Sequence, residues 1–483
     1  MADKVRLRIA PSPTGDPHVG TAYMSLFNKA YAHRHGGSFV LRIEDTDQTR
    51  YNPTSVGEII ESLRWLDLMP DEGPGIGGEY GPYVQTERRE LYIKHAHELV
   101  EKGHAYRCFC TSARLEEMRK EQAARHEPPR YDRHCLRLSP QEIEGNLSED
   151  KPYTIRMLVP DEGTTSFQDL IRGEISFENK VLDDQIILKS DGLPTYHLAV
   201  VVDDHYMEIS HITRAEEWIS STPKHILLYN YFGWELPKFA HFPLLRNADR
   251  SKISKRKNNT SLKWYREQGY LPEAMINFLA LMGWSMPNGE EIFTFEDVKR
   301  EFTFERMATS GPIFDLVKLT SINGKYIRTL SDKELHERLL PYLPEGLDEE
   351  RVRQAVPVIK DRLTTLGEFA ELTAYLFGPP PDYDASSLVP KKGTPEAARA
   401  ALERIRGFLA GLPEPWAHEE WESGMRALAA ELGLKAGDIF MVLRVAVTGS
   451  PVSPPLFESI EILGKEETLR RVDAALAKLG GGR

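Results

Sequence analysis

The stretch RIAPSPTGDPHVGTA, residues 8–22, sets His18, Gly20 and Thr21 at the point where a helix begins, behind three prolines. Backbone N–H groups and the helix dipole at such a start favour a phosphate, and Gly20 lets a ligand come close to the chain. A second stretch, RNADRSKISKRK at 246–257, holds six basic residues: Arg246, Arg250, Lys252, Lys255, Arg256 and Lys257. They stand against one acid, Asp249. Its small and flexible residues suit a mobile loop that closes on a polyphosphate. Taken singly, each has a plainer reading. The first is a Pro-rich loop whose His18 caps a helix, and the second is a solvated basic loop.

The elements around the first stretch are legible. Val5, Leu7 and Ile9 alternate with Arg6 and Arg8, a period-2 pattern that predicts a strand. The prolines forbid helix until the turn is complete. From Ala22, Leu26, Phe27 and Ala30 recur at helical spacing, and Gly36-Gly37 stops that helix. Phe39, Leu41 and Ile43 then predict a second strand before Glu44-Asp45-Thr46-Asp47. Strand, turn, helix and strand make a βαβ unit, and in an open parallel sheet ligands sit at the carboxyl ends of the strands. Arg8, Ser12, Thr14, His18, Gly20 and Thr21 gather at one such end, and Glu44 at the next. Arg8 there can grip a carboxylate through its planar fork.

The whole chain sets limits on its class. At 483 residues it exceeds one ordinary core, so three or more units are expected. Hydrophobic content of 41% with 28% charged residues belongs to a soluble globular protein. No apolar run approaches the roughly 20 residues that span a bilayer. Met1-Ala2-Asp3-Lys4 leads straight into a strand-like stretch, so a cytoplasmic location is expected, and three cysteines are no disulfide framework. The net charge of −12 is a global sum, and a local basic surface can still hold phosphates.

His18-Val19-Gly20-Thr21 resembles the HIGH signature of class I aminoacyl-tRNA synthetases, and Lys252-Ile253-Ser254-Lys255-Arg256 resembles their KMSKS signature. PSPTGDPHVGT with KISKR is similar to the bacterial glutamyl branch, where Thr21 and Arg256 are common replacements. LRIEDTD (41–47), GPYVQTER (81–88), DGLPTYHLAVVVDDH (191–205), RAEEW (214–218), PLLRN (243–247) and NGKYIR (323–328) extend the likeness over the whole chain.

The resemblance implies an α/β, doubly wound parallel-sheet (Rossmann-like) catalytic domain with an inserted acceptor-arm domain, then an all-α anticodon-binding region. On that pattern 1–87 plus 199–243 form the nucleotide-binding domain and 88–198 the insert. Residues 244–327 form a linking domain with the KISKR loop, and 328–380 and 395–483 two helical subdomains. YIKHAHELVEKG (92–103), EAARAALERIRGFLAGL (396–412) and TLRRVDAALAKLG (468–480) read as helices, and HLAVVVDD (197–204) as a strand. GPPPDYDASSLVPKKGTP (378–395) reads as a link.

The family reaction joins L-glutamate to tRNA(Glu) through a glutamyl-adenylate. The resemblance makes His18 and Lys255 catalytic. It assigns ATP to Pro11, Ser12, His18, Gly20, Thr21, Glu217, Leu245, Lys252, Ser254 and Lys255. Arg8 and Tyr196 would hold the γ-carboxylate of glutamate and Glu44 its α-amino group, with Arg214 lining the same pocket and Ala10 and Ser12 adding contacts; the plainer reading of Glu44 and Arg214 is a structural ion pair. Mg²⁺ comes with ATP. Some bacterial members bind zinc at the spacing of Cys108, Cys110 and Cys135. The fourth ligand position here is Arg137, which cannot ligate, so His134 or His126 would have to substitute, or the metal has been lost. Arg362 matches the position that accompanies preference for glutamate tRNA, or is a solvated helix-face arginine. A monomer without membrane attachment is implied.

Alternatives differ in their marks. A non-discriminating enzyme also charges tRNA(Gln). A shorter paralogue that glutamylates a modified base lacks the roughly 150 residues after Ile327, and a glutaminyl enzyme has a β-barrel anticodon region. A regulatory RNA-binding paralogue has no need of His18, Glu44, Arg214 and Lys255, and a small-molecule nucleotidyltransferase does not explain the helical C-terminal third.

Overall fold

The computed structural model describes residues 4–254, 259–380 and 382–480. They form two compact units, Met1–Trp264 with Met275–Leu316, and Tyr265–Ala274 with Val317–Arg483.

The first unit opens as its sequence predicts, with β1 (Arg6–Ile9), α1 (Val19–Arg34) and β2 (Ser38–Leu41). The helix starts at Val19 rather than Ala22 because Gly20 N donates to His18 Nδ1 and caps it. Then follow α2 (Ser55–Trp65), α3 (Arg89–Glu101), β3 (Ala105–Cys108), α4 (Ser112–Ala124), α5 (Pro140–Ser148), β4 (Thr154–Met157), β5 (Thr164–Asp169), β6 (Gly173–Glu178) and β7 (Ile186–Leu188). After these come α6 (Tyr196–Tyr206), β8 (His211–Ala215), α7 (Thr222–Phe232) and β9 (Lys238–Phe242).

Six strands lie in the order β2-β1-β8-β9-β5-β6, parallel except for the β5–β6 hairpin. That hairpin falls within the segment read as an insert, 88–198, yet β5 pairs with β9 and extends this sheet. A separate antiparallel sheet, β3-β4-β7, carries the rest of the segment's strands.

Two local expectations are corrected. Residues 197–204 are not a strand but the body of α6, buried continuously from Leu198 to Asp204. A helix enclosed on all sides shows no 3.6-residue period, and three consecutive valines imitate a strand. Arg6 and Arg8 do not face water between the apolar residues of β1. Both are buried, because helices or loops cover both faces of a parallel sheet.

The second unit is helical throughout its described residues, including Glu349–Ile359, Glu368–Phe377, Pro395–Gly411, His418–Glu431, Ala436–Thr448, Leu456–Leu463 and Lys465–Gly480. Thr394 accepts from Ala397 N and Pro395 begins the helix after the Pro-rich stretch. Within that stretch, Ala385–Leu388 forms a 3-10 turn whose Leu388 is fully buried, so it packs against the unit. No described helix is long and apolar enough to cross a membrane.

Candidate active site

A cavity of about 880 Å³ opens in the first unit, at the carboxyl ends of β1 and β8 and beside the start of α1. Arg8, Ala10, Pro11, Ser12, His18, Gly20, Thr21, Glu44, Tyr196, Arg214, Glu217, Leu245 and Lys252 all line it. Segments up to about 240 residues apart thus meet in one place. Ser254 is not among the lining residues, and Lys255 lies outside the described ones.

His18 does cap its helix, as the plainer reading holds, but the cap also prepares the ring. Gly20 N donates to Nδ1 at 2.9 Å, so the neutral ring carries its proton on Nε2. A Cβ at Gly20 would stand 3.1 Å from Nδ1, close enough that the ring would have to give by a few tenths of an ångström.

The cavity floor is a buried charge network. Arg8 donates from Nε and Nη2 to the two oxygens of Asp204 at 2.9 and 3.0 Å, and from Nη1 to Thr213 O. Arg42 donates to Asp204 at 2.6 Å and to Glu44 Oε1 at 3.0 Å, while its Nε lies 3.6 Å from Asp203. Burial alone would raise Asp204, but Arg8 and Arg42 outweigh it and hold its carboxyl below the usual range. For Glu44 burial wins over Arg42 and pushes the carboxyl up.

Glu44 and Arg214 do not pair with each other. Arg214, also buried, meets only neutral acceptors among the described residues: His241 Nε2, Tyr196 Oη, His225 Nδ1 and Thr222 Oγ1. Since Arg214 donates to Tyr196, the phenol keeps its own hydrogen for another acceptor. A buried cation without a protein carboxylate is costly unless a ligand supplies one.

At the cavity mouth Lys252 pairs with Glu217 at 2.6 Å. The basic stretch is pinned as far as Ile253, whose N donates to Leu245 O, and Arg246 bridges to Lys252 and to Glu216. Only beyond it does the expected closing loop remain as an expectation.

The model for the catalytic domain of class I tRNA synthetases (E and Q) matches residues 4–321, and that for an anticodon binding domain matches 334–476. The glutamate–tRNA ligase of Acidothermus cellulolyticus is 50% identical over 496 residues, 99% of this chain and 97% of that one. That of Thermus thermophilus is 50% identical over 481 residues, 97% of this chain and 99% of the relative. The chain belongs to the glutamate–tRNA ligases. Among solved structures, a glutamate–tRNA ligase from Elizabethkingia meningosepticum in complex with its amino acid superposes with a TM-score of 0.90. It is 33% identical, covering 99% of this chain and 100% of that one.

Within this member of the family, reasoning from sequence missed Arg42, Asp203 and Asp204. Two acids ending the apolar run VVVDDH were the available signal, because buried acids demand partners. It also missed Tyr131. The sulfurs of Cys108, Cys110 and Cys135 lie within 4.8 Å of one another and, among the described residues, form the one metal-capable cluster. Neither His134 nor His126 joins it, and Arg137 turns away to donate to Asp132 O. Tyr131 Oη sits 3.2 Å from Cys110 Sγ and 3.4 Å from Cys108 Sγ. Hydrogen bonds from Cys135 and then Tyr131 hold the Cys108 thiol below the usual cysteine range, against burial.

In the second unit Arg362 is exposed at the end of the 3-10 turn Lys360–Arg362. Burial and then the charge of Arg362 lower the basicity of Arg444, on Ala436–Thr448, whose guanidinium donates to Ser453 and Pro454 O.

Proposed function

We propose that this chain ligates L-glutamate to tRNA(Glu) and charges that tRNA alone. ATP-dependent glutamate–tRNA ligation is the activity of its family and is the reading its full-length relatives support. The observation that carries it is Arg214, a buried cation held, among the described residues, by neutral groups alone, in the same cavity as the capped His18 helix start.

In the first step the α-carboxylate of glutamate attacks the α-phosphorus of ATP in line, forming the acyl–phosphate bond as the bond to pyrophosphate breaks. Such a displacement needs positioning and charge stabilisation rather than a covalent nucleophile. His18 donates from Nε2 to the phosphates, Gly20 and Thr21 keep the helix start open, and Lys255 neutralises charge on the leaving pyrophosphate. Pro11, Ser12, Leu245, Lys252 and Glu217, which line the cavity, hold the nucleotide. Magnesium carried by the triphosphate adds charge neutralisation there. In the second step a hydroxyl of the terminal ribose attacks the carbonyl carbon and AMP leaves.

Arg214 and Tyr196 take the γ-carboxylate, with Arg8 behind them, and Ala10 and Ser12 line the slot. Glu44 takes the α-ammonium. This last role has a pH signature. The ammonium needs the ionised carboxylate, and burial raises that group, so binding is lost as pH falls through a value above the ordinary glutamate range. The KM for glutamate is expected to climb by about tenfold per pH unit below that point. Steady-state charging across pH 4.5–8 with free enzyme checks it; Glu44→Gln should bind poorly at every pH and show no such break.

The cysteine cluster fits a structural zinc with Tyr131 as fourth donor. The Cys110–Cys135 sulfur separation is 3.5 Å, against roughly 3.8 Å for two thiolates on a tetrahedral zinc. About one zinc per chain is expected on elemental analysis, and Tyr131→Phe should release it to a chelator sooner than wild type. Metal-free protein with an unchanged melting temperature would refute the site.

The test of function is charging of labelled glutamate onto purified tRNA(Glu) and, separately, tRNA(Gln). Charging of the first alone supports the reading and the assignment of Arg362 to anticodon discrimination. Charging of both makes the enzyme non-discriminating, and charging of neither removes the catalytic reading.

A further inference from the structure

Arg214 on β8 stands opposite His241 on β9 in the sheet register. Its Nε donates to His241 Nε2 at 3.0 Å and its Nη1 to His225 Nδ1 at 3.0 Å. A guanidinium has donors only, so each ring nitrogen facing it must offer a lone pair. That requirement fixes both tautomers. His241 carries its proton on Nδ1 and donates it to Asp169 Oδ2 at 2.6 Å. His225 carries its proton on Nε2 and donates it to His197 Nδ1 at 3.1 Å. Neither ring can gain a second proton without losing its bond to Arg214. Burial and the charge of Arg214 both oppose protonation of His225, and burial leads the same effect at His241.

Arg6, Arg8, Arg42 and Arg88 are buried in the same unit, and each is paired with a carboxylate, on Glu72, Asp204 or Asp203. Buried Arg156 donates to the backbone oxygen of Asp184 and lies over the Tyr131 ring, so among the described residues Arg214 is the buried arginine held by histidine nitrogens. A carboxylate at either histidine position could hold the Arg214 fork as well, but it would cancel the charge.

We propose that His225 and His241 are specificity-determining positioning residues, which orient Arg214 through neutral acceptors and so reserve its charge for the ligand carboxylate. Asp169, behind His241, locks the tautomer. This rests on the reading of the cavity as the glutamate site. Glutamine, with an amide in place of that carboxylate, gains nothing from the reserved charge, so selectivity between the two depends on ring neutrality.

The experiment is aminoacylation of tRNA(Glu) by the full chain, measuring KM and kcat for glutamate, KM for ATP, and the glutamate-to-glutamine preference. Wild-type charging tests the site reading by itself; without it, that reading fails before the histidines are at issue. Given wild-type charging, His225→Gln, a neutral acceptor, should raise the KM for glutamate less than about fivefold, whereas His225→Glu should raise it roughly a hundredfold. The preference for glutamate should fall in step, with the KM for ATP unchanged within about twofold. His241→Gln and His241→Glu repeat the comparison from the other strand, with thermal melts on all four proteins. Equal effects of Gln and Glu in folded protein, or parallel losses toward glutamate and ATP, overturn the proposal.

Discussion

Arg214→Ala is expected to lower kcat/KM for glutamate by about a hundred- to ten-thousand-fold, with the KM for ATP held within about twofold. The size follows from what the substitution leaves behind. A bound γ-carboxylate would lie in a cavity whose other buried arginine, Arg8, already gives its fork to Asp204 and its remaining nitrogen to Thr213 O. Removing one partner of a buried, hydrogen-bonded charge pair costs about 2–5 kcal/mol or more, mostly because the other charge stays unpaired. His225, His241 and Thr222 would also lose the donor they face. Arg214→Lys separates charge from geometry: it keeps the cation but not the fork, and an intermediate loss of roughly tenfold to a hundredfold is expected. Aminoacylation kinetics beside a thermal melt decide the matter. A folded Arg214→Ala enzyme with wild-type KM for glutamate would show that Arg214 is structural, and the γ-carboxylate would then have to be reassigned to Arg8.

The side of the cavity built around His18 was legible because it is local. The strand, the proline-stiffened turn and the helix of residues 6–34 lie within one continuous stretch, so periodicity and punctuation reveal them together. His18 and Gly20 touch through a two-residue separation. The long helices at 395–411 and 465–480 announce themselves by their amphipathic faces and, for the first, by Thr394-Pro395. The floor was not legible for the opposite reason. Arg8 meets Asp204 across 196 residues, and nothing in the neighbourhood of either names the other. Burial also inverted two local cues: it hid the period of α6 and turned the arginines of β1, which look like a solvent face, into core residues. Tyr131, whose hydroxyl lies beside the Cys108 and Cys110 sulfurs, escaped because family spacing directed attention to Arg137.

The same floor sets the other large expectation, which concerns stability. Asp203→Ala should destabilise the first unit by about 3–5 kcal/mol, seen as a large fall in its melting temperature. Asp203 is fully buried and accepts from Gln85 Nε2 at 2.9 Å, Arg88 Nε at 2.7 Å and the Tyr92 hydroxyl at 2.8 Å. Those donors come from the 3-10 turn Gln85–Arg88 and from α3, so one side chain of α6 ties two consecutive elements to the helix. It also stands nearest to Arg42 Nε, a buried donor with no hydrogen-bond acceptor of its own. Deleting the carboxylate would leave Arg88 short of its counter-ion and Arg42 with only Asp204 and Glu44. Asp203→Asn keeps the shape and one acceptor but removes the charge, so it should fall between alanine and wild type. The ranking is what separates charge compensation from packing. If asparagine matches wild type while alanine does not, the residue fills space and satisfies hydrogen bonds. If asparagine lies close to alanine, the buried arginines beneath the cavity depend on the negative charge. In that case Asp204→Asn should destabilise as well and, by loosening Arg8, also raise the KM for glutamate, which Asp203→Asn should change far less.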